Sequence, residues 1–282
     1  MFATSSEYIL KRSILDSKIN SNSQVIKIGC ELEFFLFGDH DEIFIDTLRD
    51  VLIGKFNIVY DLKKEQGDGQ YEINIRESDD LSHLALTISR IRDFIIQYCK
   101  NHNLKADFQA KPIKDDCGSA MQFNISIHEG EKNLFFDLDN SNYKNVIGGL
   151  LNFSNEILFL SCEKEEEFLR FNLENNISLF KNKKYVAPTN YSYGIDNRTC
   201  LIRCLKNRLE YRLASASCDA FLILSALVYY IDLSLKEDIF FDKKRIYGNS
   251  FDDIYDTKIL ESYQAAKDTF LNGKLYQYLK TI

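Results

Sequence analysis

A long run of basic side chains is missing from the 282 residues, and Lys and Arg are outnumbered 35 to 42 by Asp and Glu, for a net charge of -7. Such a chain repels phosphate backbones, which excludes nucleic acid as a partner. No Cys-x-x-C pair occurs among the seven cysteines (Cys30, Cys99, Cys117, Cys162, Cys200, Cys204 and Cys218). An odd number in mostly apolar or strand-like surroundings reads as reduced thiols of a cytoplasmic protein. Long apolar stretches are missing too. The longest, Phe221 to Ile231, is bracketed by Asp219 and Asp232 and falls short of the ~20 residues that span a bilayer, so it reads as buried helix and no membrane partner is expected. The N-terminal MFATSSEYILKRSILDSKIN has helical spacing at Tyr8, Ile9, Ile14 and Leu15 but lacks the apolar core of a signal peptide. Proline occurs twice, at Pro112 and Pro188, and there is neither an internal repeat nor a low-complexity linker, so residues 1–282 read as a single domain.

What the chain does have is strands with two unlike faces. In IKIGCELEFFLF, alternation puts Ile26, Ile28, Cys30, Leu32, Phe34 and Leu36 on one face and Glu31 and Glu33 on the other. Two carboxylates about 7 Å apart on one strand, with no lysine between, fit either a solvated face or a divalent-cation site. The design returns in QYEINI, where Gln70, Glu72 and Asn74 oppose Tyr71, Ile73 and Ile75, and in MQFNISIH, where Gln122, Asn124, Ser126 and His128 oppose Met121, Phe123, Ile125 and Ile127. TCLIRC and LEYRL add Arg203, Glu210 and Arg212.

Between these strands the spacing turns helical over about Asp41 to Leu52 and Asp80 to Asn103, the latter with a stripe of Leu84, Ile88, Ile91, Ile95 and Cys99 and with Asp79 or Asp80 as N-cap. Further strands are expected near Phe56 to Leu62 and over ADFQAKPI, with a turn at Gln66 to Gly69. One long helix is expected from Ser141 to Leu173, interrupted only by Gly148 and Gly149, with Glu163 to Glu167 as a solvated acidic face. YVAPTNYSYG reads as a loop, and helices over about Asp219 to Lys236 and Lys258 to Lys280 close the chain.

At least four strands thus share an apolar back and a front of carboxylates, amides and arginines. Carboxylates hold divalent cations and arginines clamp phosphate oxygens, so this mixture suits a phosphate-handling metal site. The segments ELEFFLF, EQGDGQYEI, AKPIKDDCGSAMQFNISI, IGGLL, YVAP, NRTCLIR and RLEYRLASASCDAFL, in that order, resemble the catalytic domain of glutamine synthetase. That resemblance implies an α/β fold of the α+β type, a curved antiparallel sheet forming a funnel backed by helices. It implies ATP as co-substrate and two Mg²⁺ ions, or Mn²⁺ in their place. Glu33, Glu65 and Glu72 would hold the first ion, with Gln122 where the family has a histidine, and Glu31 and Glu210 the second. Arg198, Arg203 and Arg208 would clamp phosphate oxygens, with Asn124 and Ser126 on the nucleotide side. Gly118 and Arg212 would face the acid substrate, and Arg203 and Arg212 would act at the transferring phosphoryl group.

The departures from the family point to altered specificity. Cys117 stands for an asparagine that meets the family's glutamate, Phe180 for an arginine upstream of the flap, with Lys181 and Lys183 nearby, and Val186 for the flap glutamate. The family's N-terminal β-grasp domain has no counterpart in the motif order, and the Arg203–Glu210 spacing is short. Small-molecule acid and amine partners are implied, with homo-oligomerisation left open, and glutamate plus ammonia is not the expected pair. A relative that keeps the fold but acts through binding or regulation is the alternative. Crowded carboxylates gain most when a cation offsets their repulsion, so calorimetry should show Mg-ATP binding more tightly than metal-free ATP. Equal affinities would remove the metal assignment.

Overall fold

The computed structural model describes residues 24–242, 244–252 and 258–281. The expected N-terminal helix around Tyr8 and Leu15 lies outside them. The first strand, β1 (Gln24–Phe37), buries Ile26, Ile28, Cys30, Leu32, Phe34 and Leu36, as the alternation requires. Each fully buried side chain of this size contributes about 1.5–3 kcal/mol, and a one-residue slip would move them all to the polar face, so this strand fixes the register of its neighbours. It lies between β3 (Gln70–Ser78) and β5 (Met121–Glu129), antiparallel to both. With β2 (Val59–Lys64), β7 (Tyr193–Ile195), β8 (Ile202–Leu205) and β9 (Arg208–Tyr211), these form an open, curved sheet in the order β2-β3-β1-β5-β9-β8-β7. The short β4 (Lys105–Asp107) and β6 (Lys132–Asn133) pair with β1 and β5. All pairs are antiparallel except β7 with β8, which emerges from the expected loop.

Helices supply the other half of the core. After α1 (Glu42–Lys55), α2 (Leu81–Asn101) buries the predicted stripe of Leu84, Ile88, Ile91, Ile95 and Cys99, and its N-cap is Asp80, which accepts from His83 N at 2.9 Å. Asp219 caps α5 (Ala220–Lys236) in the same way, accepting from Phe221 N at 2.8 Å. All seven cysteines are free and buried.

Three expectations fail for physical reasons. Of ADFQAKPI only Ala106 and Asp107 join the sheet, as the end of β4, because Asp107 Oδ1 accepts from Gln109 N at 2.9 Å and turns the chain. The long helix stops at Ser161, giving α3 (Ser141–Ser161), and is followed by a 3-10 helix (Glu165–Phe171) and α4 (Leu173–Lys181). Cys162 is extended, and Glu167 turns back to accept from Glu163 N at 2.6 Å, so Glu167 is buried while Glu163, Glu165 and Glu166 stay exposed. The terminal helix is two, α6 (Tyr263–Asn272) and α7 (Lys274–Thr281). They part at Gly273, where the buried Glu156 carboxylate fills the space a Cβ would need and accepts from Leu275 N at 3.1 Å.

Gly148 and Gly149 do not interrupt α3; they let it approach its neighbours. A Cβ on Gly149 would lie 2.7 Å from Ser234 Oγ and 3.0 Å from Tyr230 O of α5. Helix propensity alone would make Gly149→Ala stabilising by about 1 kcal/mol. The backbone contact opposes it, and overpacking of this kind costs about 1–3 kcal/mol, so a net loss of stability is expected in urea unfolding. A gain would show that α5 can move aside.

Candidate active site

Strand register brings the polar side chains together in a row across the sheet. Lys63 pairs with Glu72, Glu72 with Glu33, Glu31 with Gln122, Asn124 with Glu210 and Glu210 with Arg203. Glu33 and Glu72 are therefore direct cross-strand neighbours of like charge, an arrangement that destabilises a sheet unless it is compensated. Glu33 accepts from Gln122 Nε2 at 2.6 Å, Ala120 N at 2.8 Å and Gln70 Nε2 at 3.3 Å. Glu72 meets Lys63 Nζ at 2.8 Å and Asn74 Nδ2 at 3.1 Å. Lys63 Nζ also lies 3.9 Å from Glu65. Glu65 sits at the mouth of the turn that enters β3, where Gly69 adopts φ +80° and a Cβ would press to 2.9 Å from Leu36 O.

Glu33, Glu65, Gln70, Glu72, Ala120 and Gln122 line one pocket. Of the residues predicted from sequence, Glu33, Glu65, Glu72, Gly118, Gln122, Arg198 and Arg212 come together there. Glu31, Asn124, Ser126, Arg203, Arg208 and Glu210 lie outside its wall. Most of these are linked along the sheet: Asn124 donates to Glu31 at 2.9 Å and accepts from Arg208 Nε at 2.8 Å, and Arg203 Nη1 donates to Glu210 at 2.9 Å. Ser126 is bonded instead to His128 at 3.0 Å. Arg203 is further held by Asp196.

Arg212 is surrounded by acceptors. Its Nε reaches Gln122 Oε1 at 3.1 Å and lies 3.2 Å from Glu210 Oε1, while its two terminal nitrogens donate to the carbonyls of Arg198, Cys200 and Val186. Arg198 stacks on the Tyr185 ring, 4.3 Å from its centroid. Phe180 does not reach the pocket: it is 43% exposed and packs edge-on to Phe251. Val186 and Cys117 do line it, and with Leu179 and Phe251 they form an apolar cluster apart from the main core.

Sequence reasoning missed two residues. Arg170 lines the pocket while only 3% exposed; it follows an acidic run that reads as solvated face, and the one available signal was its place between Phe168 and Phe171. Asp116 joins three segments, accepting from Asp68 N at 2.7 Å, Cys117 N at 2.8 Å and Lys184 Nζ at 2.6 Å. Burial works against its charge, but these donors outweigh it and hold the carboxyl below its ordinary range.

Burial pushes the Glu33 carboxyl up to about 7 against the opposing pull of the Ala120 N–H and Arg170. Burial also raises Glu72, reinforced by Glu31 and Glu33, and raises Glu65. Burial thus makes these carboxyls costly to ionise without a counter-ion. Hard oxygen donors of this kind suit a hard divalent cation, and the buried Glu210 Oε1, which accepts no hydrogen bond, is an oxygen such an ion would satisfy. Among the described residues, no three carboxylate, imidazole or thiol groups converge on one point, because Glu72 is turned to Lys63 and Glu33 to Gln122 and Ala120. The set thus fits a cation in chemistry, with Lys63 as its rival.

Known proteins share part of this sequence and its fold. The glutamine synthetase catalytic-domain family matches residues 44–239. Glutamate–methylamine ligase of Methyloversatilis universalis is 27% identical over 197 residues, 66% of this chain and 42% of that protein. The γ-glutamylputrescine synthetase of Escherichia coli is 25% identical over 190 residues, 62% of this chain and 38% of that one. The chain thus spans about two-fifths of the length of these curated relatives. A solved GmaS–ADP complex superposes with a TM-score of 0.85 over 97% of this chain and 69% of that chain at 18% identity, and Plasmodium falciparum glutamine synthetase with 0.77 over 98% and 72% at 15%. At those identities the likeness is one of fold. No helix among the described residues is long and apolar enough to cross a membrane.

The raised carboxyls set a pH dependence. Each binds its proton more tightly folded than unfolded, so their contribution to stability is complete below about pH 4.5 and is lost as the pH rises through about 7 for Glu33. In EDTA the melting temperature should fall by several degrees between pH 5 and 8, and saturating Mg²⁺ should shrink that fall and release protons. Parallel curves with and without Mg²⁺ would contradict this.

Proposed function

The chain belongs to the glutamine synthetase catalytic-domain family, and on that premise we propose that it is an ATP-dependent carbon–nitrogen ligase that activates a carboxylic acid as its acyl phosphate and joins it to an amine. The observation that carries the proposal is the single pocket in which Glu33, Glu65, Glu72 and Gln122 meet Arg198 and Arg212. Residues 1–282 are taken as one catalytic domain, a reading supported by the continuous core shared by the sheet and its helices.

In this reading Glu33, Glu65 and Glu72, with Gln122, hold one Mg²⁺ ion, and Glu31 and Glu210 hold a second. Bound divalent cations supply the positive charge that lets an anionic acid approach an anionic phosphate. Lys63 would yield Glu72 to that first ion. Arg198, Arg203 and Arg208 hold phosphate oxygens, Arg203 aimed by Glu210 and Asp196 and Arg208 by Asn124. Asn124 and Ser126 lie on the nucleotide side. Arg203 and Arg212 stabilise charge on the transferring phosphoryl group, the kind of preorganised electrostatic help that dominates such reactions. Gly118 and Arg212 border the acid.

The nucleophile is an organic amine rather than ammonia. Val186 neither takes up a proton nor offsets a cation, and loss of a general base costs ~10²–10⁴ in rate. The apolar wall of Val186 and Cys117 instead offers contacts to the body of an amine, which position its nitrogen. The named activities of the methylamine and putrescine ligases support this choice.

The Lys63–Glu72 ion pair, together with Val186, favours a second reading: a binding or regulatory protein that holds Mg-ATP without turnover. ADP release from ATP, measured over a panel of acids with ammonia, methylamine or putrescine, separates the two. Turnover with an amine, absent in Glu72→Gln, is expected. Nucleotide binding with no ADP release on any pair would leave the second reading. Ammonia should serve poorly in the wild type and improve about tenfold or more in Val186→Glu. Efficient ammonia use without gain in Val186→Glu would mean that another residue supplies the base.

A further inference from the structure

β2 is an edge strand of the sheet, and its register sets Lys63 directly across from Glu72. The ammonium lies 2.8 Å from Glu72 and 3.9 Å from Glu65, its two ion-pair partners among the described residues. Burial works against its charge, but Glu72, Glu65 and Glu31 outweigh that penalty and raise it above its ordinary range. Lys63 thus faces carboxylates of both proposed ion sites.

Such a position does not survive the arrival of a cation. Glu72 and Glu65 both belong to the first ion's proposed ligands, and two positive charges on one buried carboxylate repel each other. Lys63 can leave: 48% of its side chain is exposed against 4% for Glu72, and a flexible four-carbon stem on an edge strand turns at small cost. The arginines of the front are held more firmly. Arg212 is bonded to Gln122 and to backbone carbonyls, Arg208 to Asn124 and Asn207, and Arg198 lies against the Tyr185 ring, while Arg203 keeps Asp196 when Glu210 turns away. The displaced ammonium needs an anion, and the carboxylates that act on it are all ion ligands in the proposed site. A phosphate group brought in with the ions is the anion that remains.

We propose that Lys63 is a phosphoryl-binding residue, paired with Glu72 until a cation takes that carboxylate and then moving onto a terminal phosphate oxygen of the nucleotide. The inference rests on the proposed ligase reading and deepens it. The ion pair that opposes the cation then supplies a compact positive charge with three N–H donors to the group in transit. Metal and nucleotide binding become coupled through one side chain, since the cation frees the ammonium that the phosphate needs and the phosphate draws away the ammonium that the cation must displace.

The test begins with the metal alone. Calorimetry of Mg²⁺ with the nucleotide-free protein should show roughly tenfold tighter binding in Lys63→Met than in the wild type, because a competing charge is gone. At saturating Mg²⁺, the ratio of affinities for a non-hydrolysable ATP analogue and for ADP should fall roughly tenfold in Lys63→Met and less in Lys63→Arg. Amine labelling of the wild type, read at Lys63 by mass spectrometry, serves if Lys63→Met fails to fold: Mg²⁺ alone should speed the labelling, and Mg²⁺ with the ATP analogue, but not with ADP, should suppress it. Metal affinity or nucleotide ratio unchanged in Lys63→Met, or labelling indifferent to these ligands, would overturn the inference and leave the ligase reading standing. Failure of the wild type and both variants to bind Mg-nucleotide would remove that reading as well.

Discussion

Glu33 and Glu72 face each other across the β1–β3 pair, two carboxylates where a stable sheet would carry opposite charges or a β-branched pair. Their repulsion is the constraint around which the front of the sheet is built. Lys63 comes in from β2 to meet Glu72, Gln122 from β5 to meet Glu33, and the Ala120 N–H adds a third donor. Those partners do not close the deficit, and burial keeps both carboxyls above the range in which they ionise freely. A folded chain that retains such a pair holds part of its free energy in reserve for a cation. The apolar back of the same strands makes this tolerable, because Ile28, Cys30, Leu32 and Phe34 bind the sheet to its helices whatever the front does.

Around that pair the pocket walls are joined by charge rather than by packing. Asp116 ties the turn before β3 to the Cys117 loop and, through Lys184, to the segment leading into Val186. Arg212 does the same on the opposite wall, connecting Gln122 of the sheet with the carbonyls of Val186 and Arg198. Each is a charge-assisted link of the stronger kind. The loops are thereby positioned relative to the strands of the sheet. Val186 and Cys117, belonging to a small apolar cluster of their own, line the pocket from segments tied in this manner.

How far the sequence could be read depended on whether a signal was local. Period-2 alternation with carboxylates on one face located β1, β3 and β5, and the α2 stripe and the Asp219 cap were equally direct, because strand and helix geometry act over a few residues. Where the chain chose between continuing and turning, tertiary partners decided. Ser161 ends α3 because Glu167 is needed against Glu163 and Ser217, and Gly273 parts the last helices because the Glu156 carboxylate occupies the space beside it.

The same division runs through the site. The order of motifs and their residue types determined the family, the carboxylate and amide face and the family's expected arginines, all properties of alternation and spacing along the chain. Register and side-chain direction were left to the tertiary structure, since they depend on which strand lies beside which. It set Lys63 on Glu72, committed Arg212 to protein acceptors and left Ser126 bonded to His128. It also buried Arg170, written after a run of glutamates as though meant for water, on the 3-10 turn that stands where a continued helix was expected.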